Sequence, residues 1–408
     1  MCSCQEKAGM ETTDFLVIGG GIIGMSIARE LRSIYSDSTV TVLEKEEQIG
    51  CHASGRNSGV LHAGFYYTPD SLKAQFTKMG NQQLTQYCEA KQLSLNRCGK
   101  LVVAKDHRDH AAMDELLSRG RANGIDLQEV TEQEAHEIEP RVKTHERAIF
   151  SPTTATVDPV SVLESLVDDA RHEGVMFRFG GFYQKYAEGE LRTSIGNFDA
   201  GYVVNAAGLY ADVIARDFGF SERYRILPFK GLYLYSDEQP GAFRTNIYPV
   251  PDLKNPFLGV HVTVTVEGKA KIGPTAIPAF WREQYDGLDN FRFSELVELV
   301  LRQMGLVGGS NFDFTRLAFQ ELRKYSRPHL VRLASNLAEG IYVEQYTKWG
   351  RPGIRAQLFD VTKKRLEMDF VVEGDQRSMH VLNAVSPGFT CAMPFASYVC
   401  QKIVKELS

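Results

Sequence analysis

The sequence predicts an α/β fold in which a parallel sheet covered by helices is interleaved with an antiparallel sheet. An apolar run, a glycine-rich turn and a helical pattern open the ordered part of the chain, as in a doubly wound sheet. Buried-strand patterns return at residues 202–208 and after Gly350. Between them, residues 233–275 are β-branched, aromatic and punctuated by Pro and Gly, which is typical of antiparallel hairpins. This order indicates two domains threaded through each other.

The first element is a βαβ unit. Residues 15–18 are a continuous apolar run that stops at three glycines, which predicts a buried parallel strand. Residues 22–35 follow with a helical pattern whose apolar positions share one face. Residues 39–43 are short and β-branched, and this second strand ends at Glu44. The unit is therefore the expected start of a doubly wound sheet.

The remaining elements follow from periodicity and punctuation. Residues 100–104 are predicted to form a strand, and residues 202–208 a buried strand that reaches a glycine. Further helices are predicted at residues 70–92, 107–124, 158–174, 291–305, 328–337 and about 394–406. No internal repeat is visible.

Composition restricts the class of protein. The chain has 408 residues, which suits about two domains. Its net charge is -5, so a nucleic-acid partner is not expected. Seven scattered cysteines argue against a disulfide framework and favour a reducing compartment. Cys2 and Cys4 are interpreted as part of a frayed tail, and no metal site is expected. The first ten residues lack an apolar signal region, and no apolar run is long enough to span a membrane.

The turn after the first strand has the spacing of a dinucleotide-binding loop. Gly19, Gly21 and Gly24 form a G-x-G-x-x-G pattern, with Ile22 and Ile23 opening the helix. The helix N-terminus then offers N–H groups to a diphosphate. Glu44, twenty positions after Gly24, is predicted to bind both ribose hydroxyls, with Lys45 beside it. The alternative is a glycine-rich turn that binds nothing.

Residues 52–64 distinguish among dinucleotides better than the glycines do. A plain NAD dehydrogenase would continue here with another helix, whereas this stretch is rich in small residues, hydroxyl groups, an amide and a guanidinium. Such a loop suits a longer cofactor whose ribityl chain and diphosphate lie along it. The residues concerned are Ser54, Arg56, Asn57, Ser58 and Gly59.

From this loop onward the chain resembles a known family. It is similar to the FAD-dependent D-amino-acid oxidase/glycine oxidase superfamily and, within it, to the L-2-hydroxyglutarate dehydrogenase/oxidase family. The resemblance is carried, in family order, by residues 57–67, 71–76, 98–101, 246–251, 256–261 and 353–357. It therefore covers nearly the whole chain.

The resemblance implies an FAD-binding Rossmann-like domain interleaved with an antiparallel-sheet substrate domain, as in D-amino-acid oxidase. The FAD-binding domain is assigned to residues 11–90, 150–222 and 338–408, and the substrate-binding domain to residues 91–149 and 223–337. It also implies non-covalent FAD. Beyond the glycine turn and the 54–59 loop, the implied contacts are Val175, Ala207, Gly208 and the turn Pro387, Gly388, Phe389 and Thr390. That turn is expected to face the flavin pyrimidine, with a helix N-terminus behind it.

The implied reaction oxidises a small L-2-hydroxy acid, foremost L-2-hydroxyglutarate, to the 2-oxo acid with hydride transfer to flavin N5. A neutral histidine suits removal of the hydroxyl proton, and the candidates are His261, which we favour, and His62. Arg355 is the predicted grip on a carboxylate. The remaining candidates are Lys230, Tyr66 and Tyr248 as further polar groups around the substrate, whereas Lys73 and Lys271 are expected to be solvated.

Departures from the family pattern bear on the substrate. The family usually has arginine where this chain has Val264, asparagine where it has Thr275, and histidine where it has Arg56. A missing arginine would leave a second carboxylate without its partner, while the flavin assignment is unaffected. Alternative functions are an FAD-dependent oxidase of a small amino acid or secondary amine, or a nucleotide-binding sensor without turnover.

The partners expected are a small hydroxy acid and an electron acceptor that the sequence does not identify. Oxygen, a quinone and an electron-transfer protein are all compatible with the pattern. The expected location is the cytoplasm, with peripheral contact to the inner membrane as an open alternative.

Overall fold

A computed structural model describes residues 10–187, 189–252, 257–306 and 314–408 of the chain. The first strands are β1 (Met10–Ile18), β2 (Val40–Leu43), β3 (Val60–Leu61), β4 (Leu95–Asn96), β5 (Lys100–Val103), β6 (Gln128–Thr131), β7 (Arg147–Ser151), β8 (Ala155–Val157), β9 (Met176–Arg178), β10 (Tyr183–Ala187), β11 (Glu190–Thr193) and β12 (Gly196–Asn205). They are followed by β13 (Tyr224–Gly231), β14 (Leu234–Tyr235), β15 (Asn246–Pro249), β16 (His261–Val264), β17 (Ala270–Gly273), β18 (Ile277–Pro278), β19 (Lys348–Trp349), β20 (Gly353–Asp360), β21 (Arg365–Leu366), β22 (Val371–Gly374) and β23 (Ser378–Asn383).

The helices cover both sheets. They are α1 (Ile22–Ile34), α2 (Leu72–Ala90), α3 (His110–Ala122), α4 (Glu132–Ile138), α5 (Pro159–His172), α6 (Ala211–Asp217), α7 (Phe293–Leu306), α8 (Phe314–Leu322), α9 (Arg327–Ala334) and α10 (Ala392–Leu407). None of the described helices combines the length and the apolar composition that a membrane crossing needs.

The sheet that begins the chain is parallel at its centre. Strand β1 pairs in parallel with β2 on one side and β12 on the other, and β9 and β23 extend it in parallel at the two sides. Its register aligns Ile18 with both Leu43 and Asn205, so the strands end together beside the glycine turn. The buried faces of α1, α5 and α10 pack on this sheet in one apolar cluster. The predicted doubly wound sheet is confirmed.

A second sheet runs in the order β19-β14-β17-β16-β15-β5-β7-β6. Its pairs are antiparallel except for β15 and β5, which run in parallel. The predicted antiparallel region at residues 233–275 is therefore confirmed. A smaller antiparallel sheet, β18-β13-β20-β21, lies beside it and carries Lys230 and Arg355 on neighbouring strands.

Some elements differ from the sequence expectation. Helix α8 and the hairpin β10–β11 were not predicted, because each is short and α8 is apolar on its exposed side. The segment expected to be helical from residue 107 starts with a 3₁₀ turn, and α3 begins only at His110. Cys2, Cys4 and Pro256, which the sequence interpretation used, lie outside the described residues.

Candidate active site

The glycine turn joins β1 to α1 with no room for side chains. Gly19 has a φ of +107°, and a Cβ there would lie 2.5 Å from the Ala206 carbonyl oxygen. A Cβ on Gly24 would lie 2.0 Å from the Gly19 carbonyl oxygen. Both positions therefore require glycine, and the backbone of this turn lies directly against the neighbouring strand and helix.

The N-terminus of α1 is open to a ligand. Its N-cap is Gly21, which has no side chain to satisfy the first N–H groups of the helix. The Ile22 N–H donates to the Ser54 hydroxyl at 2.9 Å, while Ile23 and Gly24 complete the first turn. A partial positive charge at this end of the helix suits a diphosphate.

Glu44 lies beside the same turn. Its carboxylate accepts hydrogen bonds from the Gly20 N–H at 2.8 Å and the Glu46 N–H at 3.0 Å, and the residue is buried. Lys45 points away from the turn, since its ammonium lies 2.9 Å from Glu283 and also pairs with Glu46. Glu44 is thus in the position expected for a ribose-binding acid, whereas the Lys45 side chain is held by carboxylates.

The loop at residues 54–59 is held largely by its own side chains. The Asn57 amide donates to the Ser54 carbonyl at 2.8 Å, and its oxygen accepts from the Gly59 N–H at 2.8 Å. Arg56 donates to the Cys51 carbonyl at 2.5 Å and lies 4.2 Å over the Tyr285 ring. Ser58 lines the large cavity described below. The Arg56 and Asn57 side chains therefore shape the loop.

Three further predicted contacts lie around the strand ends. Gly208 has a φ of +55°, and a Cβ there would meet no atom within 4 Å, so it borders open space. The Ala207 N–H accepts no such freedom, because it donates to the Asn205 side chain at 3.2 Å. Val175 is buried and its N–H donates to the Ala170 carbonyl, so only its other backbone groups are candidates for a ligand.

The C-terminal turn leads into α10. Thr390 uses its hydroxyl to join this turn to β3, accepting from the His62 N–H at 3.2 Å and donating to the Val60 carbonyl at 3.3 Å. Pro387 accepts from the Cys391 N–H, and Phe389 accepts from the Ala392 N–H. A Cβ on Gly388 would lie 2.0 Å from the Ala384 carbonyl oxygen, so the turn is tightly folded.

A cavity of about 460 Å³ lies between the two sheets and the C-terminal turn. Its wall combines histidines, tyrosines, one lysine and two arginines with several carboxylates. The chemically active members are His62, Tyr66, Tyr67, Lys73, Arg119, Tyr233, Tyr248, His261 and Arg355. A concave, largely enclosed space with a few converging polar groups is the usual form of a small-molecule site.

His261 lies on the cavity wall in a defined tautomer. Its Nδ1 lies 2.9 Å from the Gly259 carbonyl oxygen, and a carbonyl can only accept. The neutral ring therefore carries its proton on Nδ1 and has a lone pair on Nε2. Burial lowers its pKa to about 3, and the charges of Lys100, Arg355 and Lys271 act in the same direction. The Tyr248 ring stacks on the imidazole with centroids 3.6 Å apart.

His62 and Tyr66 carry unsatisfied polar atoms at the same cavity. Within the described part of the chain, His62 Nδ1 and the Tyr66 hydroxyl are buried without a hydrogen-bond partner. Burial lowers the pKa of His62 well below its usual value, with Lys100, His261 and Arg355 adding to the effect. Buried polar atoms without partners are costly, so they indicate that a ligand supplies the missing bonds.

Arg355 supplies a cation close to both histidines. Its guanidinium donates to the Thr275 carbonyl at 3.4 Å and lies 5.8 Å from the Phe257 ring. Lys230 is not brought to this cavity: it is buried on the neighbouring strand, and its ammonium lies 6.0 Å from the Tyr325 ring. Of the six predicted catalytic residues, five therefore line one cavity, and Lys230 lies apart from them.

Lys100 is a residue that the sequence interpretation missed. It has no exposed surface, and its ammonium has no hydrogen-bond partner among the described residues. The ammonium lies 4.4 Å over the Tyr248 ring and 5.2 Å over the Tyr66 ring. Burial lowers its pKa to about 7. The available signal was a lysine at the start of an otherwise apolar strand.

Two lysines expected to be solvated are buried instead. Lys73 donates to the Ser386 carbonyl at 3.0 Å and lines the cavity, and burial lowers its pKa to about 8. Lys271 lies 4.7 Å over the Tyr233 ring, and burial lowers its pKa to about 8 as well. Both predictions were wrong because each side chain points inward from its helix or strand, a direction that polarity alone does not show.

Position 264 has no direct contact with the cavity. Strand β16 alternates, so that His261 points to the cavity while Val262 and Val264 enter an apolar cluster beneath α9. Thr275 is also occupied: its hydroxyl donates to the Lys230 carbonyl at 2.8 Å. The Val264 departure therefore removes no cation from the wall of this cavity.

Comparison with known proteins identifies the family. The model of the family described as FAD dependent oxidoreductase matches residues 14–402. This chain belongs to that family. It is an FAD-dependent oxidoreductase, and FAD is its cofactor. The open α1 N-terminus, the buried Glu44 and the space beside Gly208 lie together at the strand ends, where a long adenine cofactor fits.

Within the family, the chain is similar to L-2-hydroxyglutarate dehydrogenases. It is 33% identical over 402 residues to that enzyme from Escherichia coli (strain K12), covering 96% of this chain and 93% of the relative. It is 34% identical over 433 residues to the mitochondrial enzyme of Nematostella vectensis, covering 98% and 92%. These matches place the chain in the L-2-hydroxyglutarate dehydrogenase family.

Solved structures of the same fold are more distant in sequence. An L-alpha-glycerophosphate oxidase from Mycoplasma pneumoniae with FAD bound aligns with a TM-score of 0.76 and 21% identity, over 97% of this chain and 95% of that one. Glycine oxidase from Geobacillus kaustophilus aligns with a TM-score of 0.70 and 18% identity, over the same shares. These structures support the predicted fold class.

Proposed function

We propose that the protein oxidises a small L-2-hydroxy acid, foremost L-2-hydroxyglutarate, to the 2-oxo acid. The observation that carries this proposal is His261, a neutral imidazole with a lone pair on Nε2, on the wall of a cavity that also holds Arg355. Such a pair provides a base for the substrate hydroxyl and a cation for its carboxylate. The names of the relatives agree with a hydroxy-acid substrate.

Bound FAD supplies the hydride acceptor at flavin N5, so the substrate loses a hydride from carbon 2 and a proton from its hydroxyl. The chain supplies the proton acceptor, His261. Its Nδ1–H is fixed by the Gly259 carbonyl, and Tyr248 stacks on its face, so Nε2 has one direction into the cavity. Nearby positive charge keeps the ring unprotonated before the reaction. His62, equally buried and neutral, is the alternative base.

Anion binding is assigned to the cations around the cavity. Arg355 is proposed to grip the carboxylate next to carbon 2, because its guanidinium lies near both histidines. The unsatisfied Tyr66 hydroxyl is proposed as a further donor to the substrate. A second carboxylate would find Lys73 or Arg119 on the same wall, so the dicarboxylate does not depend on an arginine at position 264.

We also propose the division into domains stated above. The strands of the parallel sheet and α1, α5 and α10 belong to the FAD-binding segments, while β5–β7 and β13–β18 belong to the substrate-binding segments. The cavity draws residues from both sets. The electron acceptor, whether oxygen, a quinone or an electron-transfer protein, is left outside this proposal.

The test is an anaerobic bleaching screen of the FAD-loaded protein. L-2-hydroxyglutarate should bleach the flavin absorbance, D-2-hydroxyglutarate should not, and Arg355→Ala should require a much higher substrate concentration. Bleaching by glycine, sarcosine or another small amine instead would replace this function with amine oxidation. A flavin that none of these compounds reduces, although dithionite does, would identify a sensor without turnover.

A further inference from the structure

The outer side of α7 and α8 is apolar and exposed. Ten of the twenty exposed large hydrophobic side chains in the described residues lie between Phe280 and Tyr325, so the exposure is concentrated in one region. We define the apolar face as Phe293, Val297, Leu301 and Met304 of α7 with Phe319 and Leu322 of α8. The spacing of the four α7 residues, at successive turns, puts them on one side of the helix.

This exposure is more than an incidental scattering of apolar side chains. Phe293 is 70% exposed, Leu301 63% and Phe319 65%. The opposite side of α7 is already buried, since Leu299 and Leu306 pack with Leu317 of α8 in a cluster that the rest of the protein covers. A surface helix normally has one apolar stripe, whereas α7 has a second one facing outward.

Basic side chains lie immediately after the apolar face. A shallow depression, here called the basic depression, is lined by Arg323, Ser326, Pro328, His329 and Arg332, without a carboxylate. From residue 314 to 335 the sequence has five arginines and lysines against one glutamate, although the whole chain has a net charge of -5. The pKa of His329 is lowered by desolvation and then by Arg323, Arg332 and Lys324, which reports the positive potential there.

We propose that the apolar face and the basic depression together dock the protein on the surface of an anionic lipid bilayer. The apolar face would enter the boundary between headgroups and acyl chains, and the basic depression would bind lipid phosphates. Charge decides between occupants: a second copy of this acidic chain would bring its own basic depression or an acidic remainder without lipid, whereas a bilayer matches apolar and cationic groups side by side. This inference stands independently of the substrate.

The docking surface is one layer away from the candidate active site. The cluster beneath α7 and α8 includes Phe257, and Phe257 also lines the cavity next to Arg355. A bilayer on this side would bring lipid-soluble molecules close to the cavity wall. The proposal therefore favours an acceptor of electrons that is dissolved in the membrane, such as a quinone.

The test is cosedimentation of the FAD-loaded protein with vesicles. Vesicles of phosphatidylcholine and phosphatidylglycerol should bind the protein, and pure phosphatidylcholine vesicles should bind it more weakly. Leu301→Ser with Phe319→Ser should weaken binding at least about tenfold. Arg323→Gln should weaken it about fivefold, and this loss should disappear at high salt. Phe182→Ser is the matched control, since Phe182 is 48% exposed outside this surface and should leave binding unchanged.

Two further measurements keep the outcome unambiguous. Anaerobic bleaching in solution should be the same in all these variants, so a failure of lipid binding is distinct from a failure of the proposed chemistry. Equal sedimentation of the wild type and the apolar-face variants would overturn the proposal. So would a wild-type dimer that the apolar-face variants convert to monomers, because a second copy would then be the occupant.

Discussion

The Tyr248 ring lies parallel to the His261 imidazole, with centroids 3.6 Å apart and 15° between the planes. This contact fixes the rotation of the imidazole, while the Gly259 carbonyl fixes its tautomer. A base whose lone pair has one orientation loses little entropy when it meets the substrate hydroxyl. The stack therefore explains why the active histidine is on β16, where both restraints are available.

His261→Asn should slow anaerobic flavin reduction by about 10²–10⁴-fold, the usual contribution of a general base, with a smaller effect on the substrate concentration needed. His62→Asn is the matched comparison, since that imidazole is buried at the same cavity. A larger loss of rate in His62→Asn than in His261→Asn would reverse the two assignments.

Arg355→Ala should raise the substrate concentration for half-maximal reduction by about tenfold to a hundredfold, because a charge-assisted carboxylate contact is lost. Arg355→Lys should recover only part of this loss, since an ammonium cannot make the bidentate contact. Stopped-flow reduction measures both quantities. An unchanged concentration dependence in Arg355→Ala would exclude the carboxylate role.

Lys100 should make substrate binding depend on pH. Its pKa is lowered to about 7 by burial, so its positive charge is present below that pH and is lost above it. The KM for an anionic substrate should therefore rise as the pH passes through 7. Lys100→Met should have the higher KM throughout and lose this dependence. Lys105→Met, at an exposed position just beyond the same strand, should keep the wild-type profile.

The same substitution should stabilise the fold. The ammonium of Lys100 is disfavoured in the folded protein, so its proton is bound more tightly by the unfolded chain between pH 7 and the ordinary lysine pKa. Removing it should raise the free energy of unfolding by about 1–4 kcal/mol, most at pH below 7. Thermal unfolding of Lys100→Met at two pH values measures this. A lower Tm than that of the wild type would mean that packing, and not charge, dominates at this position.

Two glycines should separate cofactor binding from folding. Gly208→Asn should fold, because asparagine tolerates a φ of +55° and a Cβ there meets no atom, yet it should retain less FAD. Gly219→Asn, also at positive φ in open space but away from the strand ends, is the control. Gly19→Ala should impair folding itself, since its Cβ would overlap the Ala206 carbonyl. Equal FAD content in Gly208→Asn and wild type would remove Gly208 from the cofactor site.

The sequence predicts the cofactor region better than the catalytic one, for a physical reason. Gly19, Gly24 and Glu44 act through local spacing, which a single chain displays directly. Lys100, Lys73 and Lys271 are functional candidates only because their side chains point into the protein, and polarity does not report direction. The inward turn of His261 and the outward turn of Val264 follow from strand alternation, which needs a known register. Family resemblance found the histidines, and geometry found their neighbours.

The cavity combines His62 and Lys73, near the start of the chain, with Arg355 and Ser386, near its end. On a ribosome, a growing chain therefore has its histidines and tyrosines long before it has the guanidinium that completes the pocket. Helix α10, which packs against α1, is made last of all. Redox chemistry by half-made chains is thereby prevented, because the pocket is completed only at the end of synthesis.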